Sequence, residues 1–157
     1  MVSLSLIECS KTAPKPEETD AGIFAKSVTK EGFTYYKSDS TIHRSSPQSA
    51  HSGFFRVRFN LIAYAALTDN GKLPAGGSFP VHSLVVKELH DDSTGNNPHG
   101  YAIMEKLPDD TSAAGGWVWA EYGLTGTGYT INNKGAICTS CHSTNSRDKV
   151  RVFDLFP

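Results

Sequence analysis

The chain has 157 residues, 38% of them hydrophobic and 20% charged, which suits one domain with a buried core. A net charge of -1, with no basic cluster interleaved with aromatics, points away from nucleic acid and anionic membrane surfaces as partners. No apolar run approaches the roughly 18 residues that span a bilayer. The three cysteines, Cys9, Cys138 and Cys141, are too few and too clustered for a disulfide framework.

Met1 to Ile7 is weakly apolar but lacks a basic n-region and is too short for a complete signal peptide. Cys9 precedes a polar stretch, so it reads either as an incidental tail cysteine or as the lipidated first residue of a lipoprotein; the small residues expected before such a site are missing. Residues 1–19, rich in Pro, Lys, Glu and Thr from Ser10 on, read as a flexible tail. Residues 20–157 read as a single domain. Asp20 is the expected cap of a short helix to about Thr29, with Ile23, Phe24 and Val28 on one side and Gly32 ending it. Phe33 to Lys37 reads as a strand, and Ser38 to Ser52 as a loop.

Phe54 to Phe59 alternates apolar and basic residues, the period of a half-buried strand, so Arg56 and Arg58 share one side. Asn60 then caps a helix over Leu61 to Leu67, which Asp69-Asn70-Gly71 ends. Further strands are expected at Ser83 to Leu89, Tyr101 to Leu107 and Trp117 to Tyr122, the last with both Trp on one face. Polar residues from His90 to His99 and the Gly/Asn-rich Gly123 to Gly135 read as loops, and Val150 to Phe156 as a closing tail. Strands do not alternate with long helices, so a parallel βαβ sheet is disfavoured. The expectation is an α+β fold: a mainly antiparallel sheet with a few short peripheral helices.

The segment that carries chemistry is Cys138-Thr139-Ser140-Cys141-His142, a C-x-x-C-H motif and the attachment signature of c-type haem. Two thiols three positions apart can each reach one porphyrin vinyl group, and the adjoining His142 then sits under the iron as proximal ligand. A redox disulfide would call for a βαβ context, and a zinc site for a second Cys/His pair; neither pattern is present. Haem attachment of this kind occurs outside the cytoplasm, so a periplasmic or otherwise extracytoplasmic protein is expected.

In order along the chain, several pieces converge. They are His51, Arg56-Val57-Arg58-Phe59-Asn60-x-x-Ala63, Gly71, and Phe79-Pro80-x-x-Ser83-x-Val85-Val86-Lys87-Glu88-Leu89. Met104-x-Lys106, Trp117-x-Trp119-x-Glu121, the haem motif, Asp148 and Val152-Phe153 follow. With these pieces the chain, over His51 to Phe153, resembles the cytochrome P460 family, which includes the β-sheet cytochromes c′-β. The resemblance implies an antiparallel sheet packed on one covalent haem c, often in a homodimer. It also implies His142 on the iron and an open distal side that small ligands such as nitric oxide reach. In hydroxylamine-oxidising members a lysine on a V-K-E-L strand is bonded to the porphyrin, and here Lys87 matches it.

Three functions stand open, two implied by this resemblance and the third by haem-ligand chemistry alone. The first is a five-coordinate haem protein that binds small ligands, passes single electrons, or both. The second is an enzyme with a Lys87–haem cross-link that oxidises hydroxylamine and hands electrons to a cytochrome partner. The third is an electron carrier whose sixth iron position is closed by Met104 or by another side chain such as His51. The acids that could serve the enzyme are Asp109 and Asp110, in a short turn, and Glu105 and Glu121, on strands. Arg56 and Arg58 are candidate partners of the haem propionates. Phe54, Phe55, Phe59, Trp117 and Trp119 are expected in the core.

Overall fold

Side chains that alternate along a strand must part to opposite faces of the sheet they join, and this chain's strands are sorted that way. The structure, a computed structural model, describes residues 19–47 and 49–155. The expectations for Cys9 and for most of the tail fall outside them. Among the described residues seven strands form one antiparallel sheet. They are β1 (Phe33–Tyr35), β2 (His43–Arg44), β3 (Phe54–Asn60), β4 (Leu84–His90), β5 (Gly100–Lys106), β6 (Trp117–Thr125) and β7 (Gly128–Lys134). The sheet runs β1-β3-β4-β5-β6-β7, with β2 also paired to β3. The helices are short: α1 (Asp20–Val28), α2 (Leu61–Ala65), α3 (Thr139–His142) and α4 (Val152–Leu155). The antiparallel sheet with short helices is therefore as expected.

One face of β3–β6 carries two cross-strand rows. Phe59, Val85, Met104 and Trp119 stand side by side in one, and Val57, Lys87, Ala102 and Glu121 in the next. This face is closed by Tyr36, Ala63, Leu73, Phe79, Val150, Val152 and Phe153. The other face carries Val86, Tyr101, Ile103, Val118, Ala120 and Tyr122, packed under Ile23 and Phe24 of α1. At the start of β5 the strands approach so closely that a side chain on Gly100 would meet the Tyr122 carbonyl oxygen at 2.5 Å.

Local chemistry explains the boundaries. Asn60 Oδ1 accepts from Ala63 N and Leu84 N, both at 3.0 Å, so one side chain caps α2 and ties it to β4. At α1 the cap is Thr19, whose hydroxyl accepts from Gly22 N at 3.1 Å; Asp20 lies inside the first turn, where its charge faces the positive end of the helix dipole. The first strand is shorter than expected, because Tyr36–Ser38 winds into a 3₁₀ turn. The expected loop at Gly123 to Gly135 is instead a hairpin, with β6 running on to Thr125 and β7 returning. β7 is largely exposed and polar, so it lacks the apolar alternation by which strands are read. Phe54 is half-buried with the Arg44 guanidinium over its ring, rather than in the core.

The first part of the expected closing tail belongs to the core; Phe156 lies outside the described residues. Val150, Val152 and Phe153 are buried, and the Phe153 ring packs against Tyr36, Phe59 and Phe79 at centroid distances of 5.8 to 6.5 Å. Phe153→Ala should cost about 3–5 kcal/mol of folding free energy, the usual range for emptying a large aromatic site. Urea unfolding checks this; a loss below about 1 kcal/mol would mean that the segment does not close the core.

Candidate functional site

On the Lys87 face the sheet leaves a cavity of about 250 Å³, open on one side. β3 to β6 form its floor through Phe55, Val57, Lys87, Met104, Trp119 and Glu121. The chain after β7 closes it with Cys138, His142, Val150 and Arg151. Gly135, at φ 66, turns the chain out of β7 into a 3₁₀ turn ending at Cys138, and α3 carries Cys141 and His142. Cys138 is half-buried and Cys141 exposed, and the two are unbridged. Burial pushes the Cys138 thiol up, and the charges of Glu121 and Cys141 push the same way.

The His142 imidazole is held on two sides. Its Nδ1 lies 2.8 Å from the Lys149 carbonyl oxygen, and its ring stands edge-on to Trp119 with centroids 4.9 Å apart. A carbonyl can only accept, so Nδ1 carries the proton and Nε2 keeps its lone pair. Burial holds the imidazole below its ordinary pKa, against the pull of the Lys149 carbonyl.

Lys87 points its ammonium at the Phe55 ring, 4.0 Å from the centroid. Burial lowers its pKa to about 8; Glu121 opposes the shift and Arg151 adds to it. Glu121 sits where β6 slips register against β7, a bulge of the kind that re-aims a side chain. Its carboxylate accepts from Asn133 Nδ2 at 3.1 Å and has His51 Nδ1 at 3.3 Å. The imidazole contact is the main reason its pKa lies below the carboxylate range, against the effect of burial. Met104 lines the same cavity but belongs to its apolar floor, between Val85 and Trp119.

Arg56 and Arg58 do not reach this cavity, which corrects the expectation that they serve propionates. Both project from the opposite face and close on Glu88, which is fully buried. Arg58 also donates to the Ser27 carbonyl, and Tyr35 Oη donates to Glu88 at 3.2 Å. Glu105 is on that face too, paired with Lys26 at 2.6 Å. Asp110 is buried in its own turn, accepting from Ser112 N at 2.8 Å.

The sequence reading missed Arg151, whose Nε is buried without a hydrogen-bond partner in the cavity wall. Only the flanking Val150 and Val152 hinted that this stretch is a packed wall with one residue turned inward. The Lys149 carbonyl was also missed, since a backbone acceptor leaves no mark on side-chain identity.

A family model described as Cytochrome P460 matches residues 33–153, most of the chain and all of the sheet. The chain belongs to the cytochrome P460 family. Membership makes it a c-type haem protein, with haem c and its iron as the implied cofactor. Cytochrome P460 proteins are typically extracytoplasmic, and among the described residues no helix is long and apolar enough to cross a membrane. No curated protein matches the chain.

The Lys87 pKa has a measurable consequence in the haem-free chain. The unfolded amine titrates at its ordinary 10.5 and the folded one at about 8, so between these values the unfolded chain binds more protons. The cost of burying the charge is thus full below about pH 8 and fades as pH rises towards 10.5. Lys87→Met should raise the thermal midpoint at neutral pH, with the gain shrinking steadily across that window. A gain that stays constant with pH would show that the ammonium carries no penalty there.

Proposed function

We propose that this protein carries one haem c, thioether-linked to Cys138 and Cys141 and ligated by His142. It binds small ligands such as nitric oxide at the iron, passes single electrons, or does both. The observation that carries this reading is the Lys149 carbonyl on His142 Nδ1, which leaves Nε2 as the ligating nitrogen in a cavity that Cys138 also lines. Each thiol would add across a vinyl group: a carbon–sulfur bond forms, the thiol hydrogen ends on the neighbouring carbon, and no oxidant is consumed. When bound, the haem would supply a one-electron iron centre able to take a diatomic ligand.

The chain's own residues do the rest. Trp119 holds the imidazole, and Phe55 and Val57 keep the cavity wall apolar. Arg151 offers a buried, unpartnered guanidinium nitrogen suited to a propionate. Met104, flanked by Val85 and Trp119, is read as packing rather than as a sixth ligand. The setting is extracytoplasmic, with a cytochrome as redox partner and a second copy of the chain as the candidate for a homodimer.

A second reading, hydroxylamine oxidation with Lys87 bonded to the porphyrin, is favoured by one observation. Lys87 lies in the cavity with its pKa lowered to about 8, so a substantial neutral fraction is present in mildly alkaline solution. Joining Nζ to a ring carbon with loss of one hydrogen from each is a two-electron oxidation, and an oxidant of the peroxide class would take those electrons.

Absorption spectra of the matured protein test these readings. An ordinary c-haem spectrum in a high-spin form that shifts on adding nitric oxide is expected. Cys138→Ser with Cys141→Ser should make the haem extractable by acidified organic solvent. A low-spin form indifferent to nitric oxide would sink the open-site reading in favour of the six-coordinate carrier. A ferrous Soret band shifted far to the red, and restored to an ordinary position by Lys87→Ala, would put the enzyme first.

A further inference from the structure

The carbonyl that orients His142 belongs to a residue in an unusual backbone state. Arg147 and Val150 exchange both backbone hydrogen bonds, each at 3.0 Å, so Asp148 and Lys149 are the two central residues of a tight turn. Their φ values are 48 and 71, the left-handed region that such turns demand and that glycine usually supplies at the second position. Lys149 holds this conformation without being glycine, so the surroundings must fix it.

The Asp148 carboxylate ties this turn to three separate stretches of chain, beside the bonds that Arg147 makes to Asp69 and to the Leu73 carbonyl. Oδ2 accepts from Phe79 N at 2.8 Å and from Ser78 Oγ at 3.0 Å. Lys106 Nζ donates to both oxygens at 2.9 Å, and Trp117 Nε1 approaches Oδ1 at 3.4 Å. The Asp148 and Lys106 side chains are 13% and 11% exposed, so solvent screens their pairing little. Lys106 and Trp117 end the same two strands that carry Met104 and Trp119, and Trp119 is the ring against which His142 rests. The β5–β6 end thus holds the imidazole twice, directly through Trp119 and through Lys106, Asp148 and the Lys149 carbonyl.

We propose that Asp148, clamped by Lys106 and the Phe79 amide, is the positioning residue for His142, setting the turn whose Lys149 carbonyl orients the imidazole and thereby tuning the iron. The inference rests on the haem reading above. A carbonyl acceptor on Nδ1–H increases the electron donation of Nε2, which favours the ferric state. Loosening the turn weakens that bond and favours the ferrous state.

The experiment is the reduction potential of the matured haem protein in a set of variants. Asp148→Ala and Lys106→Met should each raise the potential, and the double variant should raise it no further than the larger single effect. Asp148→Asn, which keeps an acceptor for the Phe79 amide, should return part of the shift. Lys26→Met, which breaks the ion pair to Glu105 on the opposite face, should leave the potential in place while lowering stability. Covalent haem with the wild-type potential in Lys106→Met and Asp148→Ala overturns the positioning role alone; if Asp148→Ala does not fold, Lys106→Met decides. Absence of covalent haem from the wild-type protein would overturn the haem reading, and this inference with it.

Discussion

Adjacent residues of β4 lead opposite lives. Lys87 enters the open cavity, while Glu88 is sealed on the other side between Arg56 and Arg58, with the Tyr35 hydroxyl completing its shell. A carboxylate with no exposed surface is tolerable only when it is paired and hydrogen-bonded. A one-residue slip of β4 would exchange the two, sending Glu88 into the cavity and leaving Arg58 buried with no counter-charge. The ion cluster therefore acts as a register lock. Everything on the cavity face, from Val85 and Met104 to Trp119 and Glu121, takes its place from that register.

The site has two halves far apart in sequence. The sheet supplies a floor of fixed side chains, and residues 135–153 supply the cysteines, the histidine and a wall. Apolar burial at Val150, Val152 and Phe153 anchors the second half, and Asp148 aligns it. The two kinds of contact do different work: burial is non-directional and sets how firmly the segment is held, whereas hydrogen bonds to one carboxylate set how it is turned.

The fold and the family were legible in the sequence for specific reasons. Period-two alternation in Phe54 to Phe59 and Trp117 to Tyr122 announced strands, and the C-x-x-C-H motif announced its chemistry by spacing alone. Arg56 and Arg58 were read correctly as sharing a side, but which side meets the cavity depends on their neighbours. Glu88 claims both guanidinium groups through a strand pairing that no local pattern reveals. Arg151 and the Lys149 carbonyl went unseen because their roles come from where the chain returns. Asp148 stood out in the sequence only as part of a resemblance, and its four donors explain it physically. Thr19 displaced Asp20 as the cap by one position, the common margin of uncertainty at helix ends.

β7 hid from the sequence reading because it is polar, and the same polarity sets the character of the sheet margin that it forms. A sheet margin offers a row of unpaired backbone donors and acceptors on which another strand can dock. Here the last strand carries Asn132, Asn133 and Lys134, begins at a glycine, and shifts register beside Glu121. A polar margin of this kind is a poor template for the dry strand-on-strand stacking found in fibrils.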